Sequence, residues 1–230
     1  MDIMNLDLFP VPVTVLNLGE KSRQLNLEIM EAIKVEKKQH HNQKRSGVNV
    51  WQSHSKLEDR HDIFKKLQTT FFNHFRPYMQ RAGYTNCVLD DNFIAEDFWV
   101  NYNNSPHAYH MPHIHGDGKT LFSAVYFPTS GFLNGVPISK NENLDEPVMI
   151  AAKSQPDPGS LVLLDPSYAI KNQVYDSRFL NRYPYYGMEI SITPREGVLV
   201  MFPQYLTHLV TPTEQQGFER YSIAFDINKK

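Results

Sequence analysis

The residues of this chain best suited to chemistry lie in its second half: His115-Gly116-Asp117, then His208, then Arg220-Tyr221-Ser222. Two imidazoles and one carboxylate capping one face of an octahedron, with the opposite face open, suit non-haem Fe(II) and oxygen chemistry. The spacing has a mechanical basis. Side chains two apart on an extended segment point the same way, so His115 and Asp117 can reach one ion. The third ligand must come from a separate strand. His208 fits that part because it follows the apolar run Gly197-Val198-Leu199-Val200-Met201-Phe202 and the punctuating Pro203, the pattern of a buried strand and its end.

Alternation through Phe218–Phe225 puts Arg220, Ser222 and Ala224 on one face and Tyr221, Ile223 and Phe225 on the other. An inward arginine needs a partner, since Arg is almost never fully buried unless paired. A dicarboxylate would supply one: the guanidinium fork binds a carboxylate through two hydrogen bonds, and a serine hydroxyl adds a third.

Together these motifs resemble those of the Fe(II)- and 2-oxoglutarate-dependent oxygenases. The landmarks Leu8–Val13, Trp51-Gln52-Ser53, Trp99-Val100-Asn101, Pro112–His115, Phe122–Phe127 and Pro194–Pro203 resemble a bacterial and phage branch of that superfamily and span most of the chain. The resemblance implies a double-stranded β-helix core of the jelly-roll or cupin-like kind. It implies Fe(II), 2-oxoglutarate and O2, with succinate and CO2 released as a hydroxyl is added to a peptide side chain such as prolyl, or to a small metabolite. The ligand set it implies is His115, Asp117 and His208, preferred because a carboxylate lowers the charge on Fe(II). The branch's own H-x-H pattern instead puts the pair on His113 and His115. Asp117 would then accept an imidazole N–H or belong to the turn that follows. Both registers stay open at this point. Arg220 and Ser222 are the expected anchors of the co-substrate's distal carboxylate, and Ser123 and Tyr126 are further candidate contacts, with core packing as the competing role. A non-catalytic jelly-roll binding or virion protein, or a cupin-like metal hydrolase, are the other readings. The hydrolase would use the same ligands but would not need Arg220 beside Ser222.

Composition is compatible with this reading and selects little. A hydrophobic content of 41% reads as globular. The balance of 23 basic against 25 acidic residues gives no global field for nucleic acid or a membrane surface. A single cysteine, Cys87, rules out a disulfide framework, and no apolar stretch has membrane-spanning length. With no secretory pattern at the N-terminus, the expected location is cytoplasmic, in a bacterial or phage setting.

The elements that must position the motifs suggest a mainly β protein with N-terminal helices (α+β), one domain over 1–230. An N-terminal strand and supporting helices are expected over 1–92 and the β-helix core over 93–228. Leu8–Leu18, with Pro10 and Pro12, reads as an edge strand. Leu25, Ile29, Ala32 and Ile33 have helical spacing, predicting a helix over Lys21–Lys38. Ile63, Leu67, Phe71, Phe75 and Met79 predict a second over Leu57–Ala82, kinked or ended early by Pro77 and stopped at Gly83. The stretch 36–45 reads as a solvated loop, and His61 and His74 as packing or surface histidines. Strands follow over Phe93–Asn103, Leu121–Phe127, Gly159–Leu164, Gly187–Ile192, Gly197–Phe202 and Arg220–Ile227. In the first of these, Trp99, Asn101 and Asn103 form a face able to line a cavity. Two loops, 104–111 and the tyrosine-rich 165–186, are candidate substrate determinants.

Overall fold

The computed structural model describes residues 11–43, 46–81, 93–116, 118–138, 143–146, 148, 150–151, 156–167, 189–213 and 215–229. In chain order the strands are β1 (Thr14–Asn17), β2 (Gly47–Val48), β3 (Val50–Gln52), β4 (Phe93–Asn103), β5 (Ala108–His113), β6 (Thr120–Phe127), β7 (Phe132–Leu133) and β8 (Val136–Pro137). They continue with β9 (Ile150–Ala151), β10 (Leu161–Leu164), β11 (Glu189–Ile192), β12 (Val198–Pro203), β13 (His208–Thr213) and β14 (Phe218–Lys229). The helices are α1 (Arg23–Gln39), entered through a 3-10 turn at Gly19–Ser22, α2 (Leu57–Arg60) and α3 (Asp62–Arg81).

Among the described residues all pairings are antiparallel and build two sheets. One runs β1-β12-β6-β14-β4-β3, with β7 and β8 attached beside β14; the other runs β2-β5-β13-β10-β11-β9. The result is the expected jelly-roll core in a mainly β protein. Alternation along the strands of the first sheet sorts its side chains into two layers. Val125, Phe127, Val198, Val200 and Phe202 pack against Leu161, Leu163 and Ile192 of the second sheet. Phe98, Val100, Tyr126, Leu199, Ile223 and Phe225 point the other way, onto Ile29 and Ile33 of α1 and Phe64, Leu67, Phe71 and Phe75 of α3. The helices therefore back one face of the first sheet and leave the space between the sheets free for a site.

Most expected elements form, with instructive differences. The edge strand is shorter than its apolar pattern, pairing at Thr14–Asn17 with Val198–Met201, while residues 1–10 lie outside the description. The second helix is divided at His61, whose backbone is extended and whose ring meets Glu36 at 3.0 Å. Pro77 sits inside α3, which continues to Arg81, and the expected stop at Gly83 lies outside the described residues. The solvated loop at 36–45 is corrected at its start. Helix α1 runs to Gln39, and Glu36 is buried with its carboxylate on Arg60 at 2.7 Å and on His61. Local polarity hides such a residue because its partners are remote in sequence. The segment 104–111 is likewise not all loop, since Ala108–His113 pairs with both β2 and β13. Strands β1, β2 and β3 also bind the N-terminal segment into both sheets.

A three-ring stack joins the layers. Phe225 of β14 lies parallel to Phe71 of α3 at 5.2 Å between centroids and to Phe98 of β4 at 4.5 Å. Large aromatics carry the greatest burial per residue, and offset stacking adds to it. Phe71→Ala is expected to destabilise the protein by about 3–5 kcal/mol, measured as a lower urea midpoint at unchanged slope.

Candidate active site

Three imidazoles converge where β5 ends and β13 begins. His113 and His208 are direct cross-strand partners with ring centroids 4.2 Å apart. His115, two residues beyond β5, is tied by its backbone N–H to the Gln204 carbonyl and lies 5.2 Å from His208 and 5.6 Å from His113 between centroids. One ligand atom from each of the three rings falls within 4.8 Å of the other two.

The rings are also prepared electronically. His113 donates from Nδ1 to the Met111 carbonyl at 2.7 Å, His208 from Nδ1 to the Leu206 carbonyl at 3.0 Å, and His115 from Nδ1 to Asp226 Oδ1 at 2.8 Å. A proton fixed on Nδ1 leaves each Nε2 with a free lone pair. Such acceptors behind the rings hold the orientation of metal-binding histidines and raise their basicity. Burial, then the nearby His113, pushes His208 down to about 3; burial first, then His115, holds His113 below the ordinary imidazole range. Neutral imidazoles at neutral pH are what a metal requires.

Arg220 lies on β14 at 1% exposure. Its Nη1 donates to Ser222 Oγ at 3.1 Å, and its guanidinium stands over the Phe127 ring at 5.3 Å. Nε and Nη2 are buried without a partner. Burial draws this group down to about 9, still well above neutrality, so the cation remains charged. Room for its stem depends on Gly159, at φ +74°, where an added Cβ would come within 3.2 Å of Arg220 Cδ. The three histidines, Arg220 and Ser222 line one cavity of about 40 Å³ between the sheets, with Trp99, Asn101, His110 and Ser123 among its walls. An outer cleft of about 380 Å³ shares Ser46, Gln52, Trp99, His113 and His115 with it.

Each expected residue can now be located. His115, His208, Arg220 and Ser222 are brought to one cavity, and His113 joins them. Asp117 lies outside the described residues. Ser123 reaches the cavity, but its hydroxyl donates to Asp226 Oδ1 at 3.0 Å, steadying the acceptor of His115. Tyr126 is corrected: its hydroxyl donates to Asn26 on α1 and its ring packs on Phe71 at 5.0 Å, in the helix-side core and away from the cavity. Alternation carries it to the opposite face of β6 from Ser123. Of the asparagines on β4, Asn101 accepts from Gln52 at 2.7 Å on the cavity wall, while Asn103 is wholly buried opposite Arg220. The tyrosine-rich segment falls largely outside the described residues.

Two site residues escaped the sequence reading. Asp226 extends the same alternation as Arg220, Ser222 and Ala224 and lies inside the expected strand Arg220–Ile227, one residue past Phe225, where the assignment of faces ends. His110 was obscured for a different reason. Between His110–His113 of β5 and Val210–His208 of β13 the register slips, three steps against two. The extra residue at Met111-Pro112 is a bulge, and it brings His110 and His113 to the same side where regular alternation would separate them.

The comparisons agree with this geometry. Residues 97–226, more than half of the chain, match the family model described as "Putative 2OG-Fe(II) oxygenase". The chain belongs to that family. No curated protein sequence matches significantly. Among solved structures, a prolyl-4-hydroxylase from Pseudomonas putida is similar at 14% identity, covering 96% of this chain and 94% of its own, with a TM-score of 0.57. HygX from Streptomyces hygroscopicus, with nickel and 2-oxoglutarate bound, is similar at 10% identity over 95% and 83%, with a TM-score of 0.53. A Trichoplax adhaerens prolyl hydroxylase, in complex with a peptide fragment of the hypoxia inducible factor oxygen degradation domain, is similar at 13% over 94% and 83%, with a TM-score of 0.56. At these identities the structural likeness speaks for the fold, and the family match carries the chemistry. The protein is a 2-oxoglutarate-dependent Fe(II) oxygenase.

The buried imidazoles have a consequence for stability. His110 and His208, each held at about 3 in the folded chain, take up protons near 6.5 once unfolded. Between those values the unfolded state binds more protons, so stability falls as pH falls. The melting temperature of metal-free protein should be highest above pH 6.5 and decline steadily towards pH 4. Scanning calorimetry in the presence of a chelator checks this, and a midpoint constant across that window would mean that the two rings are charged in the native state.

Proposed function

We propose that this oxygenase hydroxylates a peptide side chain, such as a prolyl ring, using Fe(II) held by His113, His115 and His208 and 2-oxoglutarate anchored through Arg220 and Ser222. The observation that carries the reading is a charged, sealed guanidinium with Nε and Nη2 unmatched, in the same cavity as three imidazoles whose Nδ1 atoms are already engaged. A carboxylate fits those two donors as an acceptor-only, planar partner. The free Nε2 atoms fit a first-row divalent metal. Iron, when bound, supplies the oxygen chemistry.

The chain's own residues have the remaining tasks. Arg220 and Ser222 fix the distal end of the co-substrate, so that its 2-oxo acid end faces the histidines. Asp226, braced by Ser123, keeps the His115 proton on Nδ1. Val125, Leu161, Phe202, Val210 and Ala224 keep the inner cavity dry. For the substrate, the adjoining outer cleft offers Trp99, whose ring lies 5.8 Å from that of His115, as a flat apolar wall among Ser46, Gln52, Ser55 and Asp97. That combination suits a compact aliphatic ring carried on a hydrogen-bonding backbone. The prolyl hydroxylases among the similar structures support the same substrate class. Incubating the Fe(II) enzyme with 2-oxoglutarate, O2 and a panel of prolyl peptides and small metabolites, and reading succinate and a 16 Da mass gain, tests it. Hydroxylation confined to metabolites would overturn the peptide assignment.

Two variants test the site. Arg220→Ala should leave metal binding nearly intact and weaken 2-oxoglutarate by roughly tenfold to more than a hundredfold, the worth of a charge-assisted contact of about 1.5–3 kcal/mol. Arg220→Lys should recover part of that. For the ligand register, His113→Ala should abolish Fe(II) binding, whereas Asp117→Ala should weaken it little. The reverse ranking in an anaerobic titration would restore the carboxylate register.

A further inference from the structure

We propose that His110 is a second anchor for the distal carboxylate of 2-oxoglutarate, donating from Nε2 alongside Arg220. This rests on the co-substrate reading above. His110 lies on β5 between Gly47 of β2 and Val210 of β13, at 4% exposure. Its Nδ1 is 3.3 Å from Ser46 Oγ, its Nε2 is buried with no partner, and the residue lines the inner cavity. Buried polar atoms are nearly always hydrogen-bonded, so an orphan facing a cavity marks a place where a ligand completes the bonding.

The chemistry of the orphans narrows the ligand. Arg220 Nε and Nη2 are donors only, and His110 Nε2 becomes a donor when the Ser46 hydroxyl donates to Nδ1. Three donors around one small space call for an acceptor-only group, and a carboxylate has two oxygens with lone pairs enough for all three. The charge also balances. A neutral histidine beside one guanidinium leaves a single positive charge for a single carboxylate, whereas a second cation would remain unpaired in a dry site. A histidine kept only for packing would be matched at both nitrogens or replaced by an apolar residue of similar size. The bulge at Met111-Pro112 puts His110 on the cavity side, about 7 Å along the strand from His113 because three residues of β5 span only two of β13.

The test titrates two 2-oxo acids into the Fe(II) protein without oxygen, following the metal-to-ligand absorption band. 2-Oxoglutarate has a distal carboxylate and 2-oxobutyrate lacks one. In His110→Leu the affinity for 2-oxoglutarate should fall about tenfold, with 2-oxobutyrate and Fe(II) affinities unchanged. His110→Gln, which keeps a donor, should recover part of the loss, and Ser46→Ala, which frees the tautomer, should show a smaller loss of the same selectivity. Unchanged 2-oxoglutarate affinity in His110→Leu, or equal losses for both acids, would overturn the inference. If Arg220→Ala loses affinity while every His110 variant is silent, only this inference falls. If the unmodified protein binds no 2-oxoglutarate, the functional reading falls and takes this one with it.

Discussion

The alternation of side chains along β14 is the constraint on which the rest depends. This strand is hydrogen-bonded on both sides, to β4 and to β6, over most of its length. Its odd-numbered residues, Tyr221, Ile223 and Phe225, enter the helix-side core, while Arg220, Ser222, Ala224 and Asp226 face the other sheet. One strand thereby supplies the buried guanidinium, a wall of the cavity and the acceptor behind His115. A register slip of one residue would exchange the two sets and put a guanidinium among phenylalanines. The aromatic stack through Phe225 makes that slip costly.

The partner strand must yield for this to work. Between Ala224 and Asp226 of β14, β4 carries an extra residue, with Asp97 at φ +58°. The bulge strands two backbone N–H groups, of Asp97 and Phe98, and the buried carboxylate of Glu58 accepts both, at 2.7 and 3.0 Å. Burial raises the pKa of that carboxyl, and the two amides work against the rise. A residue from α2 thus fixes the strand geometry that keeps Phe98 on Phe225 and Trp99 beside His115. Helix and site are linked through this one carboxylate.

Stability and function are divided between the layers. The interface of α1 and α3 with the first sheet is apolar and aromatic, and across it Tyr126 and Asn26 hydrogen-bond to each other. The space between the sheets keeps buried donors unmatched. Unmatched buried groups cost stability, and the well-packed helical side carries that cost.

Much of this was legible in the sequence. The apolar spacing of α1 and α3, the strand patterns at Phe93–Asn103 and Gly197–Phe202, the inward face of Arg220 and Ser222, and the convergence of His115 and His208 all follow from periodicities of 3.6 and 2 and from side-chain chemistry. Such features depend on neighbours in the chain. Tertiary structure alone decided the rest, because each case involves a partner far away in sequence or a break in period. Glu36 is buried only because Arg60 and His61 come to meet it. Tyr126 serves the core because Asn26 and Phe71 lie on its side of β6. His113 faces His208 through their cross-strand pairing, and His110 shares its cavity through a bulge that no alternating pattern could announce. Periodicity shows which face a residue belongs to while a strand stays regular. Where the strand bulges or ends, the neighbouring strand decides, and here those are the places where the site is built.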